Sequence, residues 1–389
     1  MPVARTDAPR FIGPNWFAAV MGTGIVATAG ATLPVHITGL HGFIEGVWVV
    51  AALLLASLIL VTVCHRLIHP DQARSYGQDA SMAQFYGAPP MALLTVGAGA
   101  LLVGKDLIGL RAAVDLDWVL WTAGTVAGLA CAVVIPFRLF TRIEVRSDAA
   151  SGSWLMPVVP PMVSAATGAL LIPHLAGASD RATLLYGCYA MFGMSLMASV
   201  IIITLIWSRL ALHGSSGTTR VPTLWIVLGP LGQSITAAGL LGANAHLAVV
   251  EPIASALAVF ATVFGVPIWG FALLWAALAA GLTVRTIRRR LPFALTWWSF
   301  TFPVGTMVTG TTRLALQTDL PVFRWAAALG YLALLGAWIT VAVRTALGAT
   351  RGDLLVLPGA APAVPVAVKE GYTPMAPGRV TVPAAIMGS

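Results

Sequence analysis

Four residues near the end of the apolar part of this chain have the types and the spacing to handle an anion. Phe302, Thr306, Thr309 and Arg313 fall at i, i+4, i+7 and i+11. On a helix they stack one ring, two hydroxyls and one guanidinium along a single face. Hydroxyls can replace part of an ion's hydration shell and an arginine attracts negative charge, so the face describes an anion path that a ring can obstruct. Close helix packing through small and hydroxyl residues is the competing use of the same pattern. Similar bare faces occur elsewhere. Gly229, Gly232, Thr236, Gly239 and Ala243 recur at helical spacing with Gln233 among them, Pro161 and Ser164 share a face with Pro157 and Gly168, and Gly22-Thr23-Gly24 is unusually bare. Asn244, His174 and His246 add groups that could bind a substrate.

Other chemistries find less material. Cys64, Cys131 and Cys188 are far apart, without pairing or metal-ligand spacing, so neither a metal nor another cofactor is expected. An intramembrane enzyme needs clustered acids, histidines or thiols, and the serines at 164, 195, 199, 234 and 299 have no evident base beside them. No Asp, Glu or Lys falls deep in an apolar segment on this reading, which favours a conduit driven by the anion's own gradient and the membrane potential over a proton-coupled pump.

The elements that must position these residues follow from composition. With 58% hydrophobic and 9% charged residues and a mean hydropathy of +0.88, the 389 residues describe an all-α integral membrane protein. Ten apolar segments can be drawn: 11–33, 40–64, one starting near 83, 118–140, 154–175, 182–207, 222–247, 253–284, the stretch beginning at Trp297, and 325–346. The odd ones carry most of the proline and glycine; the even ones are nearly regular. Such residues gain nothing from facing lipid, so five odd segments are expected to ring a centre with five even ones outside, as five hairpins. Residues 1–10 read as a short arm, 11–348 as the membrane domain, and 349–389 as a Pro/Ala-rich disordered tail on the cytoplasmic side. Only Lys105, Arg111, Arg181, Arg313 and Arg324 fall opposite the termini, against 17 of the 22 Lys and Arg on the terminal side. The positive-inside rule then places both termini in the cytoplasm. The net charge of +8 is spread over loops rather than gathered in a patch, so nucleic acid is not expected as a partner.

Three motifs in order, Phe11-x-x-Pro-x-Trp-Phe-x-x-x-Met-Gly-Thr-Gly-Ile25, Leu228-Gly-Pro-x-Gly-Gln233 and Trp297-Trp-x-x-Thr-Phe-Pro-x-Gly-Thr306, resemble the signatures of the tellurite-resistance/dicarboxylate transporter family. That family includes fungal malate permeases and sulfite efflux pumps, bacterial tellurite-resistance proteins and plant slow anion channels. The resemblance spans about Phe11 to Ala346. It implies ten transmembrane helices in the plasma membrane, three protomers side by side, and a phenylalanine gate in the ninth helix. Phe300 and Phe302 are the candidates, and only Phe302 shares the face of Thr306, Thr309 and Arg313. The implied cargo is a small anion, with C4-dicarboxylates such as malate first and sulfite, tellurite, nitrate or chloride as alternatives.

Overall fold

The computed structural model describes residues 12–35, 38–142, 145–215, 218–288, 291–352 and 354. Among these there are twelve α-helices and no strand. A 3-10 turn at Pro14–Trp16 leads into α1 (Phe17–Thr32); α2 (Leu40–Ile68) follows and ends beside the short α3 (Pro70–Ser75). The 3-10 segment Ala83–Gly87 leads into α4 (Ala88–Gly99), which continues through a π-helical turn at Ala100–Gly104 into α5 (Lys105–Ile108); α6 (Leu110–Thr141) follows. The pattern then repeats three times. Gly152–Leu155 precedes α7 (Pro160–Leu171) and α8 (Ala178–His213), Thr218–Val227 precedes α9 (Leu228–Asn244) and α10 (Ile253–Ile287), and Leu295–Phe300 precedes α11 (Phe302–Thr318) and α12 (Pro321–Arg351). The arm at 1–10, the tail from 355 and the arginine pair at 289–290 lie outside the described residues, and α12 continues through 349–351.

Proline placement explains the repeating 3-10 to α transition. Pro89 and Pro90 in α4, Pro160 and Pro161 in α7, Pro230 in α9 and Pro303 in α11 all fall within the first turn of their helices. There a missing N–H breaks no intrahelical bond and the fixed φ suits helix entry. The prolines therefore start helices rather than interrupt spans, a different role from the one that the bare sequence pattern suggests.

Among the described residues, seven helical segments are long and apolar enough to cross a bilayer. Five of them (α2, α6, α8, α10 and α12) have only 17–33% of their most apolar window buried, whereas the segments containing α4 and α9 have 67% and 94%. The shorter α1, α7 and α11 are buried along most of their length. The buried helices pack in a closed circuit: α1 on α4, α4 on α7, α7 on α9, α9 on α11, and α11 back on α1. Each also packs against the long helix that follows it. The protein is thus an all-α membrane protein with a ring of buried helices inside lipid-facing ones.

Tryptophans tie the outer helices to the inner ones. Trp48 of α2 donates to the Val96 carbonyl of α4 at 3.1 Å, Trp121 of α6 to the Ser164 carbonyl of α7 at 2.9 Å, Trp269 of α10 to Thr311 of α11 at 2.9 Å, and Trp338 of α12 to Thr23 of α1 at 3.1 Å. Each indole buries a large apolar body and satisfies its one donor inside the bundle. Outside the spans, Arg146 donates to Asp148 at 3.0 Å, and that bond holds the Asp148 carboxyl below its ordinary range.

One expectation fails here. Helix α6 begins at Leu110, not Trp118, and carries Asp117 inside the bundle, fully buried and with neither carboxylate oxygen hydrogen-bonded. It packs against Gly97 of α4, where any Cβ would meet the carboxylate. The charges of Arg111, Asp115 and Asp117 made this first stretch read as loop; the helix tolerates them because the end near Leu110 is exposed and only Asp117 turns inward. The absence of an acidic group within the segments is therefore not a property of this protein.

Candidate functional site

Two cavities lie within the ring. The larger, about 50 Å³, takes side chains from every inner helix: Ile25, Thr28 and Thr32 of α1, Thr95 and Ala98 of α4 with Leu102 of the π turn, Val163, Ala166, Thr167 and Leu170 of α7, Gln233, Thr236 and Leu240 of α9, and Phe302, Thr309 and Arg313 of α11. The smaller, about 20 Å³, is built around the helix starts, by Ala18 and Met21, Phe85 and Met91, Met156 and Val159, Ile226, Gly229 and Pro230, and Leu295, Trp298, Ser299, Phe302 and Pro303. Phe302 alone lines both. It is the first residue of α11 and only 3% exposed.

Neither cavity has an acidic side chain in its lining. The first turns of α1, α4, α9 and α11 and the residue before α7 contribute to the smaller cavity. The larger cavity contains no carboxylate among its lining residues. Its threonine hydroxyls are parked on their own helices: Thr95 donates to the Met91 carbonyl at 2.7 Å, Thr167 to Val163 at 2.9 Å, and Thr32 to Thr28 at 3.1 Å. Thr236 and Thr309 lie 2.8 Å apart, joining α9 to α11. A rotation about each C–O bond can turn such a hydroxyl proton into the cavity. Two groups are free of such partners. The Gln233 side-chain oxygen is buried without a hydrogen bond, and Arg313 enters no ion pair among the described residues. Gly239 sets the course of Arg313: a Cβ there would lie 2.8 Å from the arginine Cβ and 3.0 Å from its Cγ, so only glycine lets the stem lie flat across α9.

The residues singled out in the sequence divide between the cavities and the seams around them. Phe302, Gln233, Thr236, Thr309 and Arg313 meet in the larger cavity, and Gly229 opens onto the smaller one. Phe300 lines neither; its ring packs against Trp225 and Trp297 at centroid distances of 5.6 and 5.7 Å. Thr306 shares the helical face but is fully buried in the α9–α11 seam, donating to Pro303 at 2.7 Å with the Leu228 carbonyl at 3.2 Å. Gly232 faces the Thr306 carbonyl and the Met307 N–H and brings the two backbones together. Gly22 backs onto Trp298, the Thr23 hydroxyl accepts from Trp338, and Gly24 faces Thr95, so all three serve packing. Pro161 lines neither cavity, and Ser164 accepts from Thr125 at 2.9 Å on the side facing α6. Asn244 is occupied with the Ala169 and Leu240 carbonyls.

Thr28, Thr32, Thr95 and Thr167 were not singled out, yet all four line the larger cavity. Their signal was a hydroxyl in each odd segment, including an i, i+4 pair in α1. The small-residue face of α7 drew attention instead, although it is the packing face, and the cavity face lies one residue, about 100°, around the helix.

The sequence pattern of the voltage-dependent anion channel family matches residues 12–346. The chain belongs to that family. It is an anion transporter or channel, consistent with the tellurite-resistance/dicarboxylate motifs, and a multi-pass membrane protein. An uncharacterised transporter of Methanocaldococcus jannaschii is 27% identical over 307 residues, covering 78% of this chain and 84% of that protein. A sulfite efflux pump of Trichophyton rubrum is 27% identical over 317 residues, covering 80% and 83%, and that of Arthroderma otae is 27% identical over the same length. The family match includes every residue that lines the two cavities.

Proposed function

We propose that this protein passes a small anion through the centre of the inner ring, that Phe302 is the gate, and that Arg313 concentrates negative charge at the opposite mouth. The observation that carries this is the position of the Phe302 ring, the single side chain common to two otherwise separate cavities. In this mechanism an anion enters the larger cavity, attracted by Arg313. It exchanges hydration for threonine hydroxyls and the Gln233 amide, and passes into the smaller cavity when the Phe302 ring swings aside. Helices α1, α7 and α11, with their 3-10 leads, cross the membrane alongside the seven longer segments in this reading. Both termini are then cytoplasmic, and three protomers sit side by side in the plasma membrane, as the family resemblance and the distribution of basic residues support.

A compact oxyanion of the sulfite type suits the site first. A cavity of about 50 Å³ holds a few water-sized groups, and relatives are named as sulfite efflux pumps. C4-dicarboxylates such as malate form the second reading, favoured by the three motifs and by a positive field that rewards two charges, but they require the cavity to widen. Flux of sulfite, malate, nitrate and chloride into proteoliposomes under an imposed potential tests the proposal, with Phe302→Ala as the paired sample. The variant should raise basal conductance at least tenfold. A correctly inserted Phe302→Ala protein with unchanged conductance removes the gate from this residue.

A further inference from the structure

A second site lies far from the ring, on the lipid-facing side of the arginine-rich end. An open groove of about 700 Å³ runs between the end of α2, α3 and the last turns of α6. Its upper half carries Arg66 of α2, Arg74 of α3 and Arg138 of α6, with Gln78 and Tyr86; its lower half is Ala130, Cys131, Val134 and Ile135. Arg66 enters no ion pair among the described residues, and Arg74 meets only the exposed Asp71 at 3.1 Å. Arg138 is fixed in place by donating to the Gly77 carbonyl at 3.3 Å. Sequence neighbours of the lining on α2 and α6 form exposed apolar surface, Leu67, Val133 and Phe137 being 78%, 66% and 57% exposed.

We infer that this groove binds the headgroup and upper acyl chain of an anionic phospholipid. The polarity gradient decides the class of ligand. Eight residues of helix separate Ala130 from Arg138, about 12 Å of rise, which takes the groove from the level of the headgroups into the hydrocarbon of a bilayer. Three guanidiniums from three helices converge at the polar end, and arginine pairs with phosphate through parallel N–H donors. An inorganic anion has no use for the apolar half, and a zwitterionic lipid gains little from three guanidiniums that share a single exposed carboxylate. A bound lipid would tie α2 and α3 to α6, bracing the outer layer around the α1–α4 part of the ring.

The test uses the full chain, purified and delipidated in a non-ionic detergent, and titrated with short-chain phosphatidylglycerol, short-chain phosphatidylcholine or inorganic phosphate. Bound lipid is counted by native mass spectrometry and thermal unfolding is followed in parallel. Phosphatidylglycerol should bind and raise the unfolding temperature, and the other two should not. Arg66→Gln/Arg74→Gln leaves the Arg138 bond to Gly77 intact, and it should weaken phosphatidylglycerol binding about thirtyfold, near fivefold per arginine. Three results would overturn the inference: equal binding of phosphatidylcholine, equal stabilisation by inorganic phosphate, or unchanged phosphatidylglycerol affinity in a folded double variant. Arg220→Gln, a basic residue outside the groove, should bind as wild type, and an equal loss there would reduce the effect to general surface charge.

Discussion

Neutralising Arg313 should penalise divalent anions by the square of its effect on monovalent ones. In the proposed mechanism flux senses passage at Phe302, and Phe302 and Arg313 are eleven residues apart on one helix, about 16 Å at 1.5 Å per residue. With an effective dielectric of about 20, one unit charge at that distance contributes about 1 kcal/mol for a monovalent anion and about 2 kcal/mol for a divalent one. These energies correspond to roughly fivefold and thirtyfold in rate. Arg313→Gln removes the charge and leaves a shorter side chain that still donates through its amide. The dielectric scales both energies together, so the square relation survives an error in its value. The assay is initial flux of nitrate and of succinate into proteoliposomes at a clamped potential and low ionic strength, with insertion and unfolding temperature matched to wild type. Equal fold-losses for the two anions would refute an electrostatic role and leave Arg313 as a packing residue between α9 and α11. A loss that vanishes only at high salt would place the guanidinium in open solvent rather than in the cavity.

Gly239→Val should reproduce part of the Arg313→Gln phenotype, several-fold for succinate and less for nitrate, because its side chain displaces the arginine stem; unchanged flux of both would show that the stem can be rerouted. Thr236→Val with Thr309→Val should lower flux about tenfold with little change in unfolding temperature, since two hydroxyls leave the cavity together. Thr306→Val should instead destabilise the fold by about 1–3 kcal/mol, read by thermal unfolding, because the Leu228 and Pro303 carbonyls lose a buried donor. The opposite pairing of effects would mean that Thr306, not Thr309, meets the anion. Asp117→Asn should leave flux and its pH profile between pH 5 and 8 unchanged in a passive conduit, and a flattened profile in the variant would show proton involvement at α6.

The Phe302 to Arg313 stretch shows what local sequence can determine. Residue type and spacing on one helix are local properties, so the shared face of Phe302, Thr309 and Arg313 and the membrane class followed from the chain alone. The alternation of proline-rich and regular segments likewise separated inner from outer helices, because lipid contact tolerates few exposed backbone polar groups. Which of two polar neighbours faces a cavity and which seals a seam is decided by how a second helix docks, and no one-dimensional pattern contains that. Thr306 and Thr309 share a face, yet the close approach of α9 through Gly232 buries one and leaves the other lining the larger cavity. Ser164 and Thr167 of α7 diverge for the same reason, as α6 claims the first and the ring axis the second. Asp117 was hidden by neighbouring charges that lowered the local hydropathy, and only the packing of α6 against Gly97 gave it a buried place. Hydrophobic pattern specifies which helices form and which layer they join; rotation of each helix about its own axis is set by contacts between side chains far apart in the chain, and that rotation decides which groups line the cavities.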